Sequence, residues 1–163
     1  MLNKLFWEMI QYYSGDPKRI QHFIKVHAFA KWIGETEQVE EETLKILEAA
    51  AYVHDIGIKA AEEKYGSSSG KLQEQEGPQI AKEMLKRLGF QNKLVDRICY
   101  LVGHHHTYTD IDGIDYQILV EADFLVNLYE DQANPNTVDI AFHKIFRTGS
   151  GKELCKKMFH LSE

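Results

Sequence analysis

Apolar residues recur three and four positions apart along most of this chain, and no segment shows the strict alternation of a β-strand. Such spacing is typical of helices with one buried face. No internal repeat or linker interrupts the pattern, so we predict a single all-α domain, a helical bundle spanning residues 1–163. Its predicted helices cover about 2–13, 17–34 (extending to 37), 41–56, 73–88, 92–105, 116–129, 137–146 and 152–160.

Turn and capping residues place several helix ends. In "SGDP", Asp16 can cap a helix that opens at Pro17. Gly57 is predicted to end the third helix in the left-handed conformation. Gly89 is predicted to end the helix that covers about 73–88. The polar run "KYGSSSGK" predicts a flexible loop, for which a mobile lid and a disordered connection both fit. The C-terminal helices, 137–160, are amphipathic and are expected to pack on the core.

Composition limits the classes of protein. With 44% hydrophobic and 27% charged residues in 163, the chain has globular composition. The net charge of −6 argues against nucleic acid as the main partner, and a phosphorylated substrate would need a bound cation. No apolar run reaches membrane length and the first residues lack signal-peptide features, so we expect a cytoplasmic protein without a membrane partner. Cys99 and Cys155 are too few for a disulfide framework or a thiolate metal site.

One carboxylate interrupts a strongly apolar helix. Asp123 lies in "ILVEADFLVNL", and its neighbours three and four residues away are almost all apolar. Glu121 lies about 200° around the same helix, so the two carboxylates face different sides. Taken alone, Asp123 is best explained as a buried residue that caps or pairs with another helix. The alternative is a metal ligand, since buried carboxylates need a partner.

Histidines supply the other candidate ligands. His54 and Asp55 end the third helix, where both side chains can converge on one ion and the helix C-terminus favours a cation. "LVGHHHTY" places histidines at 104–106, and three successive residues cannot all face the core. His22 and His27 diverge by about 140° on their helix, and periodicity alone does not decide which is a ligand. Imidazoles mixed with carboxylates suit Fe, Mn, Zn, Co or Ni better than calcium.

These residues together resemble the HD-domain superfamily of metal-dependent phosphohydrolases. The resemblance covers about 19–127 and rests on order, spacing and helical context: His22, His54-Asp55, the histidines 104–106, and Asp123. The family's opening pattern of histidine, basic residue, valine and alanine fits His22, Lys25, Val26 and Ala30, which selects His22. "AAAYVHDIGIK" is similar to the family's "AALLHDIGK". The resemblance implies that His22, His54, Asp55 and Asp123 hold one divalent metal, with Mg also possible, and that Asp55 orients the attacking water.

Two positions depart from the family pattern. Ile58 follows the HDIG motif where the family has lysine, and Lys59 comes one residue later. In "LQEQEGPQIA", Gln73 stands about where two-metal members have a histidine, so one ion is expected and a second remains open. His104 and His105 are candidates either to complete a second metal site or to act on substrate phosphate.

The resemblance implies hydrolysis of a phosphomonoester or phosphodiester, with a nucleotide as one candidate substrate. Its expected catalytic residues are Asp55, His104, His105 and Lys59. Lys59, Lys64 and Lys71 are either phosphate contacts or solvated loop charges, and the sequence favours neither. The alternatives to hydrolysis are a non-catalytic HD module that senses a ligand or binds a protein, and a di-iron HD-type oxygenase.

Overall fold

The computed structural model describes residues 1–161, which form helices and no strand. The all-α prediction is therefore confirmed for this part of the chain. None of its helices is long and apolar enough to cross a bilayer. The helices are α1 (Leu2–Tyr12), α2 (Pro17–Thr36), α3 (Glu41–Val53), α4 (Gly57–Tyr65), α5 (Gly70–Arg87), α6 (Asn92–Val102), α7 (Ile114–Glu130), α8 (Pro135–Ile145) and α9 (Gly149–Phe159).

Two of the predicted helix ends are confirmed. The Asp16 side chain accepts a hydrogen bond from the backbone N–H of Arg19 at 3.1 Å, and Pro17 occupies the first turn of α2. Gly89 has a φ of +85° directly beyond the end of α5. These contacts satisfy backbone groups that a helix end otherwise leaves without partners.

The prediction for Gly57 was wrong. Helix α3 ends at Val53, and Gly57 begins α4, whose left-handed terminator is Gly66 with a φ of +66°. Glycine is required at position 57 because α4 crosses α5 closely: a Cβ there would lie 2.5 Å from the backbone oxygen of Gln73 and 2.8 Å from the nitrogen of Gly77. Half of "KYGSSSGK" is also helical, and residues 66–69 connect α4 to α5.

Helix α7 runs through the centre of the bundle, where it packs against α2 and α3. Its side chains are buried on several faces, as expected for a helix that is apolar nearly all round. Helix α5 packs between α4 and α6. This arrangement brings α2, the α3–α4 junction and α7 together around one point in the interior.

Two carboxylates, the buried Glu121 and the half-buried Glu37, attach the C-terminal helices to this core. Glu121 accepts hydrogen bonds from the backbone N–H groups of Arg147, at 2.7 Å, and Thr148, at 2.9 Å. Glu37, just beyond α2, accepts one from the N–H of Ser150 at 2.7 Å. Glu121 thus faces α8 and α9, whereas Asp123 faces α2, which agrees with their predicted separation around the helix.

Candidate metal centre

His54 and Asp55 lie in the short turn between α3 and α4, where their side chains converge. The His54 Nε2 and the Asp55 Oδ2 are 3.4 Å apart. Hydroxyl groups from the end of α1 support this turn, since Tyr13 donates to the carbonyl of Asp55 at 2.6 Å and Tyr12 to that of Ile56 at 3.1 Å. Two adjacent residues can therefore face one site because the helix is interrupted there.

Helices α2 and α7 add His22 and Asp123 to the same point. The Nε2 of His22 lies 3.2 Å from each of three atoms: the Nε2 of His54, the Oδ2 of Asp55 and the Oδ1 of Asp123. His54 Nε2 and Asp123 Oδ1 are 3.5 Å apart. The structure thus brings together the four residues proposed as ligands from the sequence.

This donor set fits a single cation. Ligand atoms bound to one transition-metal ion at about 2.0–2.2 Å lie roughly 3–3.5 Å from one another. The distances from His22 and His54 to each other and to Asp55 and Asp123 run from 3.2 to 3.5 Å. Two imidazole nitrogens and two carboxylate oxygens are also the mixture that Fe, Mn, Zn, Co and Ni accept.

The histidine rings are oriented by the nitrogen that faces away from the site. The Nδ1 of His54 lies 2.8 Å from the carbonyl oxygen of Ala51, and the Nδ1 of His22 lies 3.2 Å from Glu130 Oε2. With a proton on Nδ1, the lone pair of Nε2 faces the other ligands, which is how metal-binding histidines are usually held. The sequence analysis missed Glu130, although Asp123, Asn127 and Glu130 form a polar stripe on α7.

A second group of donors adjoins the first. Asp55 Oδ1 lies 3.3 Å from the Nε2 of His105, and donor atoms of Asp55, His105 and His106 all lie within 4.8 Å of one another. His104 does not reach this group: its Nδ1 contacts the carbonyl oxygen of Tyr100 at 2.7 Å and its ring stacks on that side chain. The structure therefore brings His105 to the site together with His106, in place of the His104 expected from the sequence.

The first turns of α5 hold His106. The Gln73 side-chain oxygen lies 2.9 Å from His106 Nε2, and its amide nitrogen donates to the carbonyl of Ser68 at 2.7 Å. Glu74 accepts the backbone N–H of His106 at 2.9 Å and the hydroxyl of Thr107 at 3.0 Å. Gln73, which departs from the family pattern, thus positions His106 beside the second group of donors.

With this geometry in place, the comparisons with known proteins identify the family. The sequence model of the HD domain matches residues 19–142, about three-quarters of the chain. The chain belongs to the HD domain family.

One solved structure supports the fold of this HD domain. A predicted HD superfamily hydrolase from an uncultured Thermotogales bacterium superposes with a TM-score of 0.69, covering 97% of this chain and 84% of that chain at 21% sequence identity. At this identity, the likeness shows the fold alone. Among curated proteins, no sequence matches this HD domain significantly.

Charges within the HD domain's first donor group perturb one another strongly. Burial opposes the charged form of His22, but hydrogen bonds to Asp123 and Asp55 raise its pKa to about 9. Burial also opposes the charged form of His54, yet the same carboxylates raise its pKa well above the usual value. Conversely, the histidines hold the pKa of Asp55 well below the usual range, against the effect of burial. In the metal-free protein, the two carboxylates therefore favour the protonated forms of His22 and His54.

The second donor group behaves differently. Burial and the neighbouring His105 lower the pKa of His106 to about 4. This imidazole is consequently neutral at neutral pH, the form in which histidine binds metals.

An open cleft of about 280 Å³ reaches both donor groups, because His22, Asp55 and His106 line it together with Lys18, Arg19, Gln73, Asn127 and Glu130. Ile58 also lines it, whereas Lys59 faces away, with its Nζ 5.4 Å from the centre of the Tyr12 ring. Successive helical residues point about 100° apart, so only one of the two can face the cleft. Of the other two lysines, for which the sequence left a phosphate contact and a solvated charge equally open, Lys64 pairs with Glu76 and Lys71 is exposed.

Proposed function

We propose that this HD domain is a metal-dependent phosphohydrolase that cleaves a phosphomonoester or phosphodiester of a small molecule, with nucleotides as one class of substrate. The observation that supports this function is the convergence of His22, His54, Asp55 and Asp123 beside an open cleft, which His22 and Asp55 line. A divalent cation held by these residues would neutralise phosphoryl oxygens and lower the pKa of a water molecule towards about 7.

The four ligands are not equivalent. His22, His54 and Asp123 are buried and would hold the cation from the interior, and of these three only His22 also lines the cleft. Asp55 keeps 18% of its side chain exposed and lines the cleft. Asp55 is therefore proposed both to bind the cation and to accept a hydrogen bond from the water that attacks the substrate, in agreement with the role that the family resemblance implies.

Positive side chains at the rim of the cleft are proposed to bind the substrate phosphate. Lys18 lies one helical turn before His22 on α2, so both residues face the same side of that helix. Arg19 also lines the cleft, although Asp16, at 3.1 Å, and Glu62, at 2.6 Å, share its charge. With Lys59 turned away, Lys18 is the better candidate for the phosphate contact.

His105 and His106 are proposed to complete the site, with His106 as a neutral imidazole. Because the Nε2–H of His106 can donate to Gln73 at 2.9 Å, its Nδ1 carries the lone pair, which the Tyr108 hydroxyl approaches at 3.5 Å. With a pKa of about 4, His106 does not serve as a proton donor at neutral pH. A second cation beside Asp55, or an ordered water, is the partner that this arrangement suits.

The direct test is a substrate screen on protein stripped of metal and reloaded separately with Mn, Fe, Co, Ni, Zn and Mg. Generic phosphomonoesters, phosphodiesters and nucleotides would be followed by release of phosphate or alcohol. We expect turnover only in metal-loaded protein. Retention of a metal without turnover of any phosphate ester would reject the enzymatic proposal and favour an HD domain that senses a ligand.

The second donor group also supports a second candidate function, an HD-type oxygenase that uses a pair of irons. Asp55, His105 and His106 supply the additional ligands that a second ion requires. Elemental analysis and oxygen uptake discriminate the two functions. Two irons per chain with oxygen consumption would favour the oxygenase, whereas hydrolysis without oxygen consumption would favour the phosphohydrolase.

A further inference from the structure

His22 is held by a charged partner, unlike the other two buried histidines of the site. Its Nδ1 lies 3.2 and 3.3 Å from the two carboxylate oxygens of Glu130. The Nδ1 atoms of His54 and His105 instead contact main-chain carbonyl oxygens, each at 2.8 Å. A carbonyl is neutral and is present whatever the residue type, whereas Glu130 is anionic and can be changed by substitution.

Helix α7 contacts both sides of the His22 ring. Asp123 and Glu130 are seven residues, or about two turns, apart and therefore lie on one face of the helix. Asp123 meets the ring at Nε2, at 3.2 Å, and Glu130 meets it at Nδ1. Asn127, on the same face, donates to Asp123 Oδ1 at 3.0 Å. One face of α7 thus supplies the proposed ligand Asp123 and also fixes the orientation of the His22 ring.

Glu130 is itself fixed in place. Only 15% of its side chain is exposed, and the Nζ of Lys25 lies 2.8 Å from its Oε1. Lys25 lies three residues after His22 on α2, so the histidine and the lysine approach the carboxylate from the same helix face. This ion pair keeps the carboxylate directed at the ring without displacing it from His22.

We propose that Glu130 is a positioning residue that sets the tautomer and orientation of His22 and thereby the affinity of the site for its metal. A carboxylate that accepts the Nδ1–H leaves the lone pair on Nε2 and makes it a stronger donor. The inference rests on the metal centre of the proposed function but not on the reaction catalysed. It therefore has a readout that is independent of hydrolysis.

The test is the metal dissociation constant of Glu130→Gln, measured by competition with a chromophoric chelator using Mn²⁺ and Zn²⁺ alone. Outer-shell partners of metal ligands typically contribute about 10- to 100-fold in affinity, and we expect a loss in that range. Glu48→Gln is the matched control, because Glu48 is another buried carboxylate bonded to a histidine of α2, His27, at 2.9 Å. His27 belongs to neither donor group, so the control should stay within about twofold of the wild type.

Thermal melts and circular dichroism of both variants show whether each is folded. An affinity of Glu130→Gln within twofold of the wild type would overturn the inference, as would an equal loss in Glu48→Gln. If Glu130→Gln does not fold, Glu130→Ala is measured against the same criteria. Loss of affinity in the Glu130 variant alone, in a protein without phosphatase activity, would uphold this inference while rejecting the proposed function.

Discussion

Asp55 Oδ1 lies 3.3 Å from the Nε2 of His105, while the other oxygen of the same carboxylate faces His22 at 3.2 Å. One side chain at the α3–α4 junction thus belongs to both groups of donors. The histidines contribute to one group each. Substitution of Asp55 should therefore have a larger effect than substitution of any single histidine.

We expect Asp55→Ala to lose both bound metal and hydrolysis. Removal of a direct ligand should weaken metal binding by more than the roughly 100-fold that outer-shell changes reach. Elemental analysis and phosphate release measure the two effects, and circular dichroism monitors the fold. Asp139→Ala, at an exposed position of α8, serves as the control and should retain both properties. Full activity in Asp55→Ala would reject the mechanism.

Two of the three successive histidines, His104 and His106, should differ in their effect on metal binding. We expect His106→Ala to lower the number of ions bound per chain and the activity, because His106 faces Asp55 and the cleft. His104→Ala should retain its metal, since its ring stacks on Tyr100 outside the donor groups. Metal content and activity of the two variants are compared side by side. Loss of metal in His104→Ala with none in His106→Ala would mean that the second donor group is not a metal site.

The helical fold could be predicted from local signals in the sequence, and His54, Asp55 and Asp123 also stood out locally, whereas His22 was chosen over His27 only through the resemblance to the HD-domain superfamily. His54-Asp55 interrupts an apolar helix, and Asp123 is a carboxylate among apolar neighbours. The choice among the histidines 104–106 depends instead on contacts from distant residues. Tyr116 donates to the carbonyl of His104 at 2.6 Å, and Glu74 accepts the N–H of His106 at 2.9 Å. No helical periodicity applies to this turn.

Gly57 and Glu130 were not predicted correctly for a related reason. Glycine is compatible both with a left-handed terminator and with a close helix crossing, and only the position of α5 decides between them. From the sequence alone, Glu130 is indistinguishable from an ordinary charged residue at the end of a helix. Its contact with the His22 ring is seen only once α2 is packed against α7. In both cases the residue's role is set by a neighbouring helix.

Metal binding should strengthen as the pH rises from about 6.5 to 9. Burial opposes protonation of His22, but Asp123 and Asp55 raise its pKa to about 9, so a proton competes with the metal below that pH. Because this pKa is raised on folding, the protonated ring stabilises metal-free protein fully below pH 6.5. That contribution, on the order of 3 kcal/mol, is lost as the pH rises through 9.

Thermal melts of metal-free and metal-loaded protein across this range measure the effect. We expect the melting temperature of the metal-free protein to fall towards pH 9 and the gain on adding metal to grow. The His22→Gln variant should lose part of this pH dependence, and the raised pKa of His54 should supply the rest. A metal-induced shift that stays constant from pH 6.5 to 9 would contradict the competition between proton and metal at His22.

The close crossing of α4 and α5 predicts that Gly57→Ala destabilises the protein. The added Cβ would lie 2.5 Å from the Gln73 carbonyl oxygen and 2.8 Å from the Gly77 nitrogen, and both are backbone atoms that cannot rotate away. The helices must move apart, which should lower the free energy of unfolding by about 1–3 kcal/mol, the usual range for overpacking. Because Gln73 holds His106 and Gly57 adjoins the turn of Asp55, metal affinity should fall as well.

Gly149→Ala is the matched control for this substitution. Gly149 also opens a helix, but a Cβ there would meet only the Glu37 carboxylate oxygen, at an ordinary contact distance of 3.7 Å. Replacing a helical glycine without a clash usually leaves stability unchanged or raises it by about 0.4–1 kcal/mol. Denaturant unfolding and chelator competition on both variants separate the two cases. Equal stability and equal metal affinity would show that α4 and α5 tolerate the extra methyl group, and that close packing at Gly57 does not control the position of Asp55.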